Sequence, residues 1–185
     1  VRLPVDEDKF LYEARLYVKK IIINNLNLKK IKKNSNLVLN QAGNIFDPIS
    51  STQYFQNRKI VIVKRDPRDM FASMKHRRTK GAPHKDVMTF IDWYIKCFSD
   101  KNFKKKLKHK LIYVVELEKF LNYFDKENKK LCKFLGIKSE FNYKKNLSTK
   151  FDINFSRKNL YKSKKNLTKY KNNLISTRLK KFLQW

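Results

Sequence analysis

"KIVIVKRDPRDMFAS", residues 59–73, decides how this chain is read. Ile60 to Val63 is an unbroken β-branched run, the mark of a strand covered on both faces of a parallel sheet. It passes directly into Arg65-Asp66-Pro67-Arg68-Asp69, and Ser73 follows. Asp66 is suited to cap a helix whose first turn holds Pro67, with Asp69 three residues on as capping-box partner. In parallel α/β folds, ligands sit at the carboxyl ends of the strands, and Arg65 occupies that position. The helix behind it presents N–H groups and the positive end of its dipole, an anion site. Ser73, about two turns into the helix, brings a hydroxyl, so one guanidinium and one hydroxyl converge on one phosphate. A plainer reading of the same residues is a surface ion pair between Arg65 and Asp69, with Pro67 only starting the helix.

Outward from this stretch, apolar periodicity alternates in type. "DKFLYEARLYVKKIII", 8–23, puts Phe10, Ala14, Tyr17 and Ile21 on one helical face. "LVL", 37–39, reads as a short buried strand ending in a loop at Asn40, Gln41 and Gly43. "KDVMTFIDWYIKCF", 85–98, carries Val87, Ile91, Tyr94 and Phe98 on one stripe. "KLIYVVE", 110–116, is another buried strand, and "KENKKLCKFLGI", 126–137, a helix stopped by Gly136. The order helix, strand, helix, strand, helix, strand, helix argues for an α/β layer on a parallel sheet. From Phe141 to Trp185 the texture changes to thirteen Lys/Arg and one acid, Asp152. This basic C-terminal segment, 141–185, is expected to lie on the domain as a loop and one or two surface helices.

The length, 185 residues, suits a single domain spanning 1–185. A hydrophobic content of 41% with 14% aromatic residues is enough for a core and excludes a disordered chain. Lys+Arg number 45 against 16 Asp+Glu, a formal charge of +29. Such a balance suggests an anionic partner. Biased Lys, Asn and Ile usage that merely coats the surface explains the bulk charge equally well, but not Arg65. Cys97 and Cys132 fall in apolar-periodic contexts and read as core thiols rather than a disulfide. No CxxC or Cys/His cluster suggests a metal. No apolar run approaches the ~20 residues that span a bilayer, and there is no signal peptide. The chain opens "VRLPVDEDKF" without an initiator Met.

Arg-Asp-Pro-Arg-Asp-x-x-x-Ser after a β-branched strand resembles the 3′-phosphate-binding segment of the sulfotransferases that use 3′-phosphoadenosine 5′-phosphosulfate (PAPS). The resemblance implies that Arg65 and Ser73 hold the 3′-phosphate, while Arg68 and Asp69 help shape the turn. Four further stretches are similar to that family. "LIYVVELEKFLNYFDKENKKLCKFLGI", 111–137, looks like its strand, Tyr/Phe-Glu-Asp-Leu segment and following helix; Glu118 matches the glutamate and Lys119 replaces the usual aspartate. "DVMTFIDWYIKCF", 86–98, resembles the long helix of bacterial and carbohydrate-type members. "KFDINFSRKNLYKSKKNL", 150–167, resembles the basic segment that closes over the nucleotide, which matches Arg157 and Lys158 to residues contacting the 3′-phosphate. "LVLNQAGNIFDP", 37–48, resembles the strand whose end faces the transferred group. Implied are a three-layer P-loop-NTPase-like sulfotransferase fold with a central parallel sheet, PAPS as cosubstrate without a metal, and sulfuryl transfer to a hydroxyl or amine acceptor, a glycan or other small molecule. A bacterial cytoplasmic location fits, with a membrane anchor upstream of Val1 left open.

The chain departs from the family where a Lys/Arg-Ser/Gly-Gly-Thr-Thr loop should cradle the 5′-phosphosulfate. Gly43, Gly81 and Gly136 all lie elsewhere. The expectation is therefore a partial domain, incomplete at its N-terminus, and a chain that is inactive as it stands. No catalytic base is identified. Asn40, Gln41 and His84 are the candidates; Asn40 and Gln41 can hydrogen-bond but take no proton at neutral pH, and His84 lies in the loop "GAPHKD". His76 is expected at the surface, and Glu118 is expected to order the site by pairing with a basic residue. The competing class is a basic nucleic-acid-binding module, disfavoured because the aromatics fall on apolar stripes rather than among exposed cations. A P-loop kinase relative ranks below both, for want of a Walker lysine.

Overall fold

The computed structural model describes residues 6–25, 36–40, 44–77, 83–99, 102–138 and 153–183. Backbone contacts divide the chain into two compact units, Val1–Ile60 and Val61–Trp185.

In the first unit, α1 (Glu7–Asn25) forms as its periodicity dictates. Its Phe10, Tyr17 and Ile21 are nevertheless exposed, while Ala14 on the same face is half-buried. Residues 36–39 take no regular structure, and Leu37, Val38 and Leu39 are exposed. The expected strand at 37–39 does not form: with no neighbouring strand among the described residues to satisfy its amides, three apolar residues do not make one. A 3₁₀ turn at Ser50–Thr52 follows. Arg58 fastens this loop, donating to Thr52 Oγ1 at 3.1 Å, to the Phe55 carbonyl at 3.2 Å and to the Ile49 carbonyl at 3.4 Å.

The second unit is mixed α/β. Two strands, β1 (Ile60–Lys64) and β2 (Ile112–Glu116), form a small parallel sheet. About 64% of the described residues are helical. After β1 come α2 (Pro67–Arg77), α3 (Val87–Phe98) and α4 (Phe103–Leu107). After β2 come α5 (Leu117–Asn122), α6 (Phe124–Leu135), α7 (Ile153–Lys158), α8 (Lys162–Asn166), α9 (Lys169–Arg178) and α10 (Lys180–Leu183). The alternation of helix and strand is thus thinner than the sequence suggests. β1 is not covered on both faces either: Val61 and Val63 are exposed.

The core lies between α2, α3 and α9–α10. Phe71 from α2 meets Phe90 from α3 with ring centroids 5.0 Å apart, and Tyr94 stacks with Phe98 at 4.5 Å. The stripe Val87, Ile91, Tyr94 is buried as its spacing requires. Ile175, Leu179 and Phe182 complete the cluster, Phe182 edge-on to Tyr94 at 5.6 Å. This corrects the expectation for the C-terminal segment. Its lysines project outward, but its sparse apolar residues recur at i, i+4 and i+7 and supply one wall of the core. Cys97 and Cys132 are both free thiols, and burial pushes the Cys97 thiol above its ordinary range, away from reactivity. No helix among the described residues is long and apolar enough to cross a membrane.

Candidate functional site

β1 delivers Arg65 to the carboxyl edge of the sheet, and α2 carries Ser73 back over it. Arg65 Nη1 donates to Ser73 Oγ at 3.0 Å, so the two residues singled out by the motif meet. Arg65 Nη2 donates to the Asn159 carbonyl at 3.2 Å and lies 3.9 Å from Asp69 Oδ2. The side chain is only 21% exposed, and its Nε is buried without an acceptor. The Arg65–Asp69 ion pair of the plainer reading does form, but in the interior rather than at the surface, since Asp69 is 1% exposed.

The start of α2 is built by carboxylates. Asp66 Oδ1 accepts the Arg68 N–H at 2.8 Å, the cap its position calls for. The Arg68 guanidinium folds back onto the same carboxylate, with Nε at 2.9 and 3.1 Å from its two oxygens. This hydrogen bonding raises the Arg68 guanidinium above its ordinary value. Glu118 Oε1 accepts the Asp66 N–H at 3.0 Å. One expectation is corrected here. The amides flanking the start of α2 are not free to receive an anion, because Asp66 and Glu118 already accept from them. Glu118 orders the turn by accepting this backbone amide, and its carboxylate also acts on the nearby Lys64 and Arg68 cations.

Asp69 is the other departure. A capping-box residue reaches back to the N-cap amide, but Glu118 holds that amide. The Asp69 carboxylate instead accepts the N–H groups of Tyr161 and Ser163, the latter at 2.9 Å. A contact across 92 residues leaves no trace in local spacing. One signal was present: the motif has two aspartates where one cap suffices.

The remaining candidates are dispersed. Arg157 Nε donates to the Leu121 carbonyl at 2.7 Å, which commits that side chain to α5. Lys158 is exposed at the end of α7. The part of the C-terminal segment that reaches Arg65 is the Asn159 carbonyl, which residue type alone could not reveal. His84 is half-buried in the loop before α3, two residues ahead of its cap Asp86. Asn40 is exposed in an irregular stretch, while Gln41 and the side chain of His76 lie outside the described residues.

Beside Arg65, a cleft of about 150 Å³ opens at the carboxyl ends of both strands. Lys64, Arg65, Glu116 and Glu118 line it, with Phe182 at one side. Burial pushes the Lys64 ammonium below its ordinary value, opposed by the nearby Glu116 and Glu118 carboxylates. Arg65 belongs to both cleft and clamp; Ser73 does not line the cleft. Chemically, the arrangement offers a planar cationic fork with a hydroxyl beside it, next to a cleft of mixed charge. No protein-family model, curated protein or solved structure matches this chain.

Proposed function

We propose that Arg65 and Ser73 form the 3′-phosphate clamp of a PAPS-dependent sulfotransferase with a P-loop-like sheet, acting on a hydroxyl or amine acceptor of the carbohydrate class. The observation that carries this reading is the 3.0 Å contact between Arg65 Nη1 and Ser73 Oγ at the carboxyl end of a parallel strand. PAPS supplies the activated sulfuryl group. The fit is one of donor chemistry: a planar fork suits two phosphate oxygens, and the buried Nε is a donor still lacking an acceptor. Receiving a phosphate requires Arg65 Nη2 to exchange the Asn159 carbonyl for a phosphate oxygen. Ser73 Oγ, which accepts from Arg65, still has its own proton to donate to that group.

Titration calorimetry of the 185-residue chain with adenosine 3′,5′-bisphosphate and with adenosine 5′-monophosphate tests the clamp. Charge-assisted bonds from Arg65 are worth ~1.5–3 kcal/mol each, so the bisphosphate should bind at least ~10-fold more tightly. Arg65→Ala should erase that preference and leave the monophosphate nearly unchanged. Arg65→Lys keeps the charge but loses the fork, and should fall between. Equal loss for both ligands would mean that Arg65 supports the fold rather than the ligand.

A second reading has its own observation. Residues 153–183 hold ten Lys/Arg and no acid, and Phe155, Tyr161 and Tyr170 are exposed among them. Cations interleaved with exposed rings suit single-stranded nucleic acid. Retention on immobilised adenosine 3′,5′-bisphosphate against retention on single-stranded DNA at matched salt separates the two.

A further inference from the structure

Tyr161 has φ 56° and ψ 25°, the left-handed region that a residue bearing a Cβ avoids. Backbone amides gathered around such a residue make a concave anion site. Here the anion is internal: the Asp69 carboxylate accepts the N–H groups of Tyr161 and Ser163 on its two oxygens. No acidic residue occurs anywhere in 153–183, so these amides have no carboxylate acceptor of their own. The same Asp69 Oδ2 lies 3.9 Å from Arg65 Nη2, and that Nη2 donates to Asn159, two residues before Tyr161. Asp69, Tyr161, Asn159 and Arg65 thus close a ring joining α2 to the junction between α7 and α8. A buried carboxylate must be compensated, and two amides with one guanidinium do so.

We infer that Asp69 is a positioning residue: it fastens the α7–α8 junction to α2 and so sets the aim of the Arg65 guanidinium. The ligand-facing half of this inference rests on the 3′-phosphate reading above; the fastening itself does not. Removing the carboxylate takes the buried anchor from Tyr161's unfavourable conformation and leaves it to exposed contacts such as Asn122 Nδ2 on its hydroxyl, at 3.2 Å. The turn relaxes, the Asn159 carbonyl moves, and Nη2 loses both partners on that side. Asp69 is kept from the ligand by its own burial, so it acts through Arg65.

The test combines amide hydrogen exchange, followed by NMR, with nucleotide titration. Asp69→Asn keeps the shape but turns one acceptor into an NH₂ donor. It should speed exchange at Tyr161 and Ser163 by about tenfold or more, with the α3 amides unchanged. It should also cut the preference for adenosine 3′,5′-bisphosphate over the monophosphate by about tenfold. Adding Tyr161→Gly, which removes the Cβ penalty, should recover part of both losses, which a general loss of packing would not permit. Unchanged exchange at Tyr161 and Ser163 overturns the fastening. Faster exchange with an unchanged nucleotide ratio overturns the link to Arg65. If the wild-type chain binds neither nucleotide, the sulfotransferase reading fails and the link to ligand fails with it, while the exchange result still decides the fastening. If Asp69→Asn does not fold, Tyr161→Gly alone carries the question: relieving the strained turn should slow exchange at Ser163, and exchange that is faster or unchanged counts against the carboxylate as its anchor.

Discussion

Ile175→Ala discriminates between a C-terminal segment that builds the core and one that lies upon it. Ile175 is 0% exposed and packs with Phe71, Phe90, Ile91 and Tyr94. The substitution deletes three carbons, at ~0.8 kcal/mol each for lost transfer, roughly 2.4 kcal/mol. The surrounding rings collapse only partly, and the residual cavity adds to this, for a total of about 2.5–4 kcal/mol. Thr177, exposed two residues on, supplies the control. Thr177→Ala should stay within about 0.5 kcal/mol, as surface changes do. Urea unfolding followed by circular dichroism reads both variants as shifts of midpoint at constant slope. If Ile175→Ala costs no more than Thr177→Ala, the segment is a surface layer and the core described above is wrong.

Gly136 sits at φ 70° after α6, where its left-handed backbone lets Ile137 N–H reach the Cys132 carbonyl at 3.0 Å; Gly136→Ala should destabilise by about 1–2 kcal/mol in the same urea assay. The Thr89 N–H at 2.7 Å holds the Asp86 carboxyl below its usual range. A depressed carboxyl stabilises the fold above its unfolded pKa, and that contribution is lost as pH falls through the folded value. The difference in Tm between wild type and Asp86→Ala should therefore be full at neutral pH and close as acid is added below the usual carboxylate range; a gap that does not change with pH would refute the cap.

What the sequence disclosed was local. Asp66 capping α2, Gly136 ending α6 and the Val87–Ile91–Tyr94 stripe each depend on residues a few positions apart, and each formed. Arg65 and Ser73 met because eight residues of strand end and helix geometrically bring them together. The failures have the opposite character. Leu37–Leu39 looks like a strand by residue type, but a strand needs a neighbour, and neighbours are not written in a tripeptide. Ile175, Leu179 and Phe182 are hidden by the polar and basic residues between them, Ser176 to Arg178 and Lys180 to Lys181, which lower the average hydropathy without disturbing the buried face. Asp69 was assigned to the amide nearest in sequence, whereas the amides it serves arrive from the far end of the chain. Asn159 contributes a carbonyl, which every residue possesses.

The distance between Asp69 and Ser163, 94 residues, also sets a schedule for synthesis. A ribosome adding ~5–20 residues per second emits that interval in about 5–20 s. From the completion of α3 at Phe98 until the end of that interval, α2 and α3 exist without Ile175, Leu179 and Phe182, and the aromatic stripe of Phe71, Phe90 and Tyr94 has no cover on that side. The motif that organises the candidate site is translated well before the residues that lock it, Tyr161 and Ser163. For that interval those rings lack their final cover, and the chain's high positive charge, formally +29, works against association between copies.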